Sequence, residues 1–135
     1  MSVAMILFSF EGRIPRSKFW LGVACYVGME LLGGLIALLF SRMHPLLVAL
    51  SCVIICVALI WAFLAIQVKR WHDRGSSGFM VLVMLIPVLG WLWSFVELGL
   101  MEGTVGANDY GNDPLEGTRS VMEQRARTPR PNGGG

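Results

Sequence analysis

The sequence predicts an all-α, polytopic membrane protein with three transmembrane helices and an interfacial N-terminal segment. Three observations lead there. Charged residues make up 15% and hydrophobic residues 55% of the 135-residue chain, with a mean hydropathy of +0.63, against roughly 25% and about 45–50% in an ordinary soluble domain. The apolar surplus is gathered into three long stretches rather than scattered at the spacing of a soluble core. The basic residues fall mainly in segments that would flank one face of a membrane. An ordinary soluble globule is excluded, and the length corresponds to one domain. The formal net charge of +2, from eleven Lys and Arg against nine Asp and Glu, is close to balanced.

Residues 1–18 are read as the interfacial segment with a basic motif. Its first ten residues, MSVAMILFSF, are apolar but too short to cross and lack the basic start of a signal peptide, so they are expected to lie along the membrane surface. Residues 19–101 form the membrane domain, with spans over 19–40, 46–68 and 79–100. Phe19 to Phe40 is twenty-two residues with one charge, Glu30, about 33 Å as a helix against a hydrocarbon core of about 30 Å. It lacks a small-residue cleavage pattern and reads as an uncleaved anchor. Leu46 to Val68 has no charge, and Phe79 to Val96 gives eighteen apolar residues before Glu97. Pro87 is expected to kink the third span, since membrane helices tolerate Pro and Gly where neighbours satisfy the freed backbone groups. A re-entrant hairpin bending at Pro87 to Gly90 is the alternative, because each arm would be too short to cross.

Ser41 to Pro45 is short enough to force the first two helices into an antiparallel pair. Lys69 to Gly78 reads as a loop in which Ser76 or Ser77 caps the third helix. Ala24 with Gly28, Gly33 with Ala37, and Ala58 with Ala62 are small-residue pairs that let helices approach. Residues 102–117 form a Gly/Asn/Asp-rich cap, and residues 118–135 are too polar to order themselves.

Two clusters set the orientation. With three crossings, Arg13, Arg16 and Lys18 share a side with Lys69, Arg70 and Arg74, while Arg42 and Arg119 fall opposite, with Arg125, Arg127 and Arg130 further along the tail. The positive-inside rule then puts the N-terminus in the cytoplasm and the C-terminus outside. A re-entrant third segment would bring the tail back beside the basic rim, where its acids could pair with it.

Each polar group that could carry chemistry has a plainer reading beside it. The six rim cations, with free N–H groups around Ser76 and Ser77, suit a lipid headgroup or phosphate. The plainer role is fixing topology and anchoring the helices, as Trp20 and Trp71 do at an interface. Glu30 lies near the middle of the first span, where a charge costs at least about 2.5 kcal/mol. It is expected to face the bundle interior beside Tyr26, in a layer with Cys56 and Trp91. There it would be either a proton-titrating site or a neutral acid joining helices by hydrogen bonds. His72 and Asp73 are adjacent, and a metal needs three or four converging ligands. Glu11 and His44 do not supply them at a recognisable spacing, so a structural loop role is expected, with Asp73 pairing with Arg70 or Arg74 or orienting His72. Cys25, Cys52 and Cys56 lie within spans, where a thiolate is disfavoured. Asn108 and Asp113, in GTVGANDYGNDP, suit the turns of a surface cap, and the segment does not fit a calcium loop.

Three blocks together carry a resemblance: GRIPRSKFW at Gly12 to Trp20, KRWHDRGSSGF at Lys69 to Phe79, and IPVLGW at Ile86 to Trp91 followed by GTVGANDYGNDP at Gly103 to Pro114. In this order and spacing the chain resembles the domain of unknown function 805 family of small bacterial inner-membrane proteins, over roughly residues 10 to 114. Pro15, Asn112 and Glu30 depart from that pattern. The resemblance implies a multi-pass protein of the bacterial cytoplasmic membrane and no particular activity.

The reading is an integral inner-membrane protein that serves as a structural or interaction module, contacting lipid, anionic lipid included, or a membrane partner. An oligomeric small transporter or channel subunit using Glu30 is the alternative. No catalytic residue, metal, cofactor or nucleic acid is expected, because no nucleophile or ligand constellation converges.

Overall fold

The computed structural model describes residues 2–41 and 45–127, and every regular element among them is helical. In chain order these are α1 (Val3–Phe8), α2 (Arg16–Phe40), α3 (Pro45–Asp73), a 3-10 helix (Gly78–Leu85), α4 (Leu89–Ser94) running into a π-helical stretch (Phe95–Leu100), and α5 (Glu116–Arg127). Arg42, His44 and Arg130, named above, lie outside the described residues.

α2 and α3, of 25 and 29 residues, extend about 37 Å and about 43 Å at 1.5 Å per residue. They pack antiparallel through small residues. A Cβ at Gly33 would stand 2.7 Å from Ile55, and one at Gly22 would stand 3.3 Å from Ile66. Between these contacts the rings of Tyr26 and Phe63 meet at 5.8 Å. Gly33 therefore does the packing expected of it, whereas Gly28 has nothing near its Cβ position. The outward faces are apolar: Leu31, Leu35, Leu38, Ile54, Val57 and Ile60 are all exposed. Interrupted by the exposed Glu30, an apolar surface of this extent marks contact with a membrane or a protein partner. α1 is capped by Ser2, whose hydroxyl accepts from the Met5 N–H at 3.3 Å. It buries Ile6 and Leu7 against α2 and α3 while Val3, Met5 and Phe8 stay exposed.

The continuous third helix expected over 79–100 does not form. The chain instead makes two arms, Gly78–Leu85 and Leu89–Leu100, joined by a turn at Ile86 to Val88. Pro87 has no N–H to continue a helix. Its carbonyl accepts from the Leu89 N–H at 2.7 Å across Val88, which sits at φ 63° and ψ −61°, a γ-turn of the rare, strained hand. The second arm returns so closely that a side chain on Gly90 would collide with the Val83 carbonyl, and the Trp91 indole donates to the Met84 carbonyl at 2.9 Å. The arms are about 16 Å and about 18 Å long, half the hydrocarbon thickness. Both ends meet the same end of α3: Gly78 abuts Val68 and His72, and Leu98 receives a hydrogen bond from Arg70. The path has the hairpin shape of the re-entrant alternative, and residues 101–114 return to the end of the bundle where Arg13 lies.

Two smaller expectations also change. α3 runs through Asp73, so Lys69 to Asp73 are its last turns rather than a loop. The tail read as unstructured from residue 118 is helical through Arg127, although it buries nothing. Asp113 accepts from the Leu115 N–H at 2.8 Å in the turn that leads into it, and Glu123 pairs with Arg127 at 2.5 Å. Residues 128–135 of that expected tail lie outside the described part.

Candidate functional site

The polar residues gather at one end of the bundle, where four stretches of chain meet. Gly12, at φ 84°, turns the chain so that Arg13 points inward, 4% exposed. Its Nε donates to Asp73 Oδ1 at 3.2 Å, and its Nη1 donates to the carbonyls of Gly106 and Gly111 at 2.7 and 3.1 Å. Its Nη2 donates to the Thr104 carbonyl and hydroxyl at 2.6 and 3.0 Å. All five guanidinium donors are thereby used. Arg70, fully buried, bonds Asp73 Oδ2 and the carbonyls of Leu98 and Met101. Those carbonyls close the π-helical stretch, where a helix end leaves acceptors without partners and carries partial negative charge. Arg16 and Trp20 serve the same end, donating to Leu100 and Gly99 at 3.2 and 3.1 Å.

The remaining groups fasten the cap. The Thr104 N–H and hydroxyl both donate to the Asp73 carbonyl, at 2.8 and 3.0 Å. Gly103 passes so close to the Asp73 carboxylate that no side chain fits there. Asn108 donates to the His72 carbonyl at 2.9 Å, and the Tyr110 ring stacks on His72 with centroids 3.9 Å apart. Arg74 holds Glu97 at 2.7 Å and the Glu102 carbonyl. Lys69 donates to the Met5 and Ile6 carbonyls at 2.5 and 2.6 Å, tying α1 to α3. Asp113 accepts from the Leu115 and Gly106 N–H groups and pairs with Arg119 at 2.7 Å. The Leu115 N–H, the Gly106 N–H, Arg119 and Arg13 hold its carboxyl below the usual range against the opposing effect of burial.

The six-cation rim is thus not an outward-facing set. Arg13, Lys69, Arg70 and Arg74 turn inward onto the chain's own acceptors, while Arg16 is exposed and Lys18 half-buried. Ser77 is the serine that caps the 3-10 helix, accepting from the Phe79 N–H at 3.4 Å, and Ser76 lies in the preceding turn. The pairing of Asp73 with Arg70 matches expectation. Its pairing with Arg13 was missed, because sixty residues separate them and no spacing rule connects them. The available signal was that Asp73 is the one acid within the basic run KRWHDR, where it has more cationic neighbours than it can pair locally.

The expected intramembrane layer does not assemble. Glu30 is exposed, Cys56 is exposed, and Trp91 is exposed with its indole committed to Met84. The register set by Gly22, Tyr26 and Gly33 puts Ala58, not Cys56, level with Glu30, and the hairpin turns Trp91 back on its own arm. Glu30 therefore faces outward rather than into the bundle. Cys25 and Cys52 are half-buried, and no three His, Cys, Asp or Glu among the described residues are placed to hold a metal ion.

Residues 7–112, from within α1 into the cap, match the family model described as Protein of unknown function (DUF805). The chain belongs to this family. This DUF805 member is 33% identical to "Uncharacterized protein YiiR" of Escherichia coli K12, over 84% of the chain and 90% of that protein. It is 31% identical to "Inner membrane protein YhaI", over 87% and 96%, and 28% identical to "Inner membrane protein YhaH", over 78% and 86%, both of the same organism. No solved structure matches it. With its two long apolar helices, this DUF805 chain is a membrane protein of the bacterial inner membrane.

Proposed function

We propose that this protein is a structural or interaction module of the inner membrane. In this reading α2 and α3 cross the bilayer as an antiparallel pair, residues 78–100 dip in and return, and the polar cap lies in the cytoplasm. The supporting observation is the engagement of Arg13, Lys69, Arg70 and Arg74 with carbonyls and carboxylates of their own chain. Cations held this way fasten segments to each other rather than act on a substrate. The surface left outward is apolar helix, whose natural contacts are lipid and other membrane helices. Sidedness follows from the gathering of Arg13, Arg16, Lys18, Lys69, Arg70, Arg74 and Arg119 at one end. Exposed Arg16, with Lys18 beside it, remains available to an anionic headgroup, at about 1 kcal/mol per cation. The apolar outer face of α1 lies along the interface. No catalytic step is part of this reading.

Single cysteines introduced by Ser2→Cys and Ser120→Cys, with Cys25, Cys52 and Cys56 replaced by Ala, test the arrangement. Both should react with an impermeant thiol reagent only from the cytoplasmic face. Reaction of Ser120→Cys from the outside would restore a third crossing. Crosslinking in native membranes tests the module role, which predicts recovery of a defined membrane protein or lipid.

A second reading rests on Glu30, an acid exposed near the middle of α2. An isolated carboxyl facing hydrocarbon is costly, and a second copy covering it would make an oligomeric transporter or channel subunit. Solute or ion flux in liposomes, lost on Glu30→Gln, would favour that reading.

A further inference from the structure

α5 buries none of its residues, and no other helix among the described residues packs against it. It is fixed to the cap at its start, where Arg119 pairs with Asp113 at 2.7 Å and the Arg119 N–H donates to the Leu115 carbonyl at 2.9 Å. A helix of 12 residues without packing is marginal in water, and Gly117 weakens it further. Its pattern supplies what its packing does not. At about 100° per residue, its surface divides into two halves. One half carries Glu116, Ser120, Glu123, Gln124 and Arg127, with Glu123 paired to Arg127. The other carries Thr118, Val121, Met122 and Ala126 with Arg119 and Arg125, and no acid. Val121 and Met122 are 49% and 64% exposed, and exposed Arg125 forms no ion pair among the described residues.

Met122 and Ala126, one turn apart, lie between Arg119 and Arg125 on the helix surface, and both acids face the other way. An apolar stripe flanked by cations, with acids confined to the far side, suits a membrane–water interface, where guanidiniums reach headgroups while the stripe meets the acyl chains. Each cation near an anionic leaflet raises affinity about fivefold. A second copy fits this face poorly, because a two-fold pairing would set the same arginines against each other. Position agrees with the chemistry. Arg119 shares a crevice with Pro15 and Arg16 at the start of α2, so α5 begins level with the end of a long apolar helix. Two or three apolar side chains hold a free peptide weakly, but a tether through α2 and α3 keeps α5 at high effective concentration beside the surface.

We propose that α5 lies on the surface of an anionic bilayer, with Met122 and Ala126 at the acyl boundary and Arg119 and Arg125 on lipid phosphates, holding the cap against the membrane. The proposal rests on the membrane reading for the placement of α2 and α3. The test uses the full-length chain with Cys25, Cys52 and Cys56 replaced by Ala and one cysteine added, Ala126→Cys on the lipid side or Ser120→Cys on the opposite side. Each is labelled with a nitrobenzoxadiazole probe and reconstituted into phosphatidylcholine vesicles, with or without phosphatidylglycerol, that carry a lipid-borne nitroxide quencher. Quenching should be severalfold stronger at position 126 than at 120 when phosphatidylglycerol is present. That excess should shrink without phosphatidylglycerol and at high salt, where screening weakens exposed charge. It should vanish in Met122→Glu/Arg125→Glu, which keeps the rest of the fold because α5 buries nothing, and persist in Arg125→Lys. Equal quenching at the two positions, an excess indifferent to phosphatidylglycerol, or one that survives the double variant overturns the proposal. An excess that grows with protein density points to a second copy, and one found only in native membranes points to a protein partner; either also overturns it. Alkaline carbonate extraction of native membranes tests the membrane reading by itself: release of the chain sinks that reading, whereas retention with equal quenching sinks only the placement of α5.

Discussion

Arg13 and Asp73, sixty residues apart in the chain, meet at 3.2 Å with both side chains almost wholly buried. Around that contact the amino-terminal segment, the end of α3, the returning arm and the cap are joined. Arg70 binds the second carboxylate oxygen, and the remaining donors of Arg13 take carbonyls of the cap. A buried ion pair stabilises little relative to a well-packed apolar replacement, but removing one member leaves the other uncompensated.

Arg13→Met should therefore destabilise the protein by about 3–5 kcal/mol, read as a lower melting temperature in detergent. The charge-exchanged variant Arg13→Asp/Asp73→Arg should not recover it. The carbonyls of Thr104, Gly106 and Gly111 need a donor at position 13, not merely an opposite charge at position 73. Full recovery would show that the pair acts through charge alone.

Val88 holds a backbone conformation that β-branched residues rarely adopt. Val88→Gly should stabilise by about 1 kcal/mol, since glycine occupies positive φ without steric cost. Gly90→Ala should do the opposite by pushing the second arm off Val83. Thermal unfolding of the two variants in one detergent should bracket the parent, and the reverse order would argue against the turn.

Acid should loosen the cap through Asp113. Its carboxyl is held below the ordinary range chiefly by the Leu115 N–H, so the native state binds fewer protons than the unfolded chain in that interval. The resulting stabilisation is complete above the ordinary aspartate value of about 3.9 and is lost as the pH falls through the lower native value. Melting temperatures taken from about pH 6 downward past about 3.9 should fall more steeply for the parent than for Asp113→Asn. Identical acid slopes would remove Asp113 from the cap's stability.

Glu30 makes no hydrogen bond or ion pair among the described residues. Glu30→Leu should leave the melting temperature of the isolated chain unchanged or raise it, because no partner is orphaned and an exposed acid is removed from an apolar helix. A lower oligomeric state for Glu30→Leu, by light scattering in detergent, would support the second functional reading. A marked loss of monomer stability would instead place the carboxyl inside the fold.

The apolar lengths of 19–40 and 46–68, the scarcity of charge and the short connection at 41–45 made the antiparallel pair of long apolar helices legible, and the three motif blocks made the family legible. These features add up residue by residue along the chain, so reading them needs no knowledge of what lies alongside. The path of residues 79–100 was not legible in the same way. Pro87 and Gly90 are compatible with a kinked crossing and with a turn, and only the fit of Gly90 against Val83 selects the turn. That choice moved the cap to the end where Arg13 lies and closed the Arg13–Asp73–Arg70 cluster. The cap and its cluster depend on groups distant in sequence satisfying one another's hydrogen bonds away from water, and the outward position of Glu30 on the packing register of α2 against α3, conditions that exist only once the chain has folded.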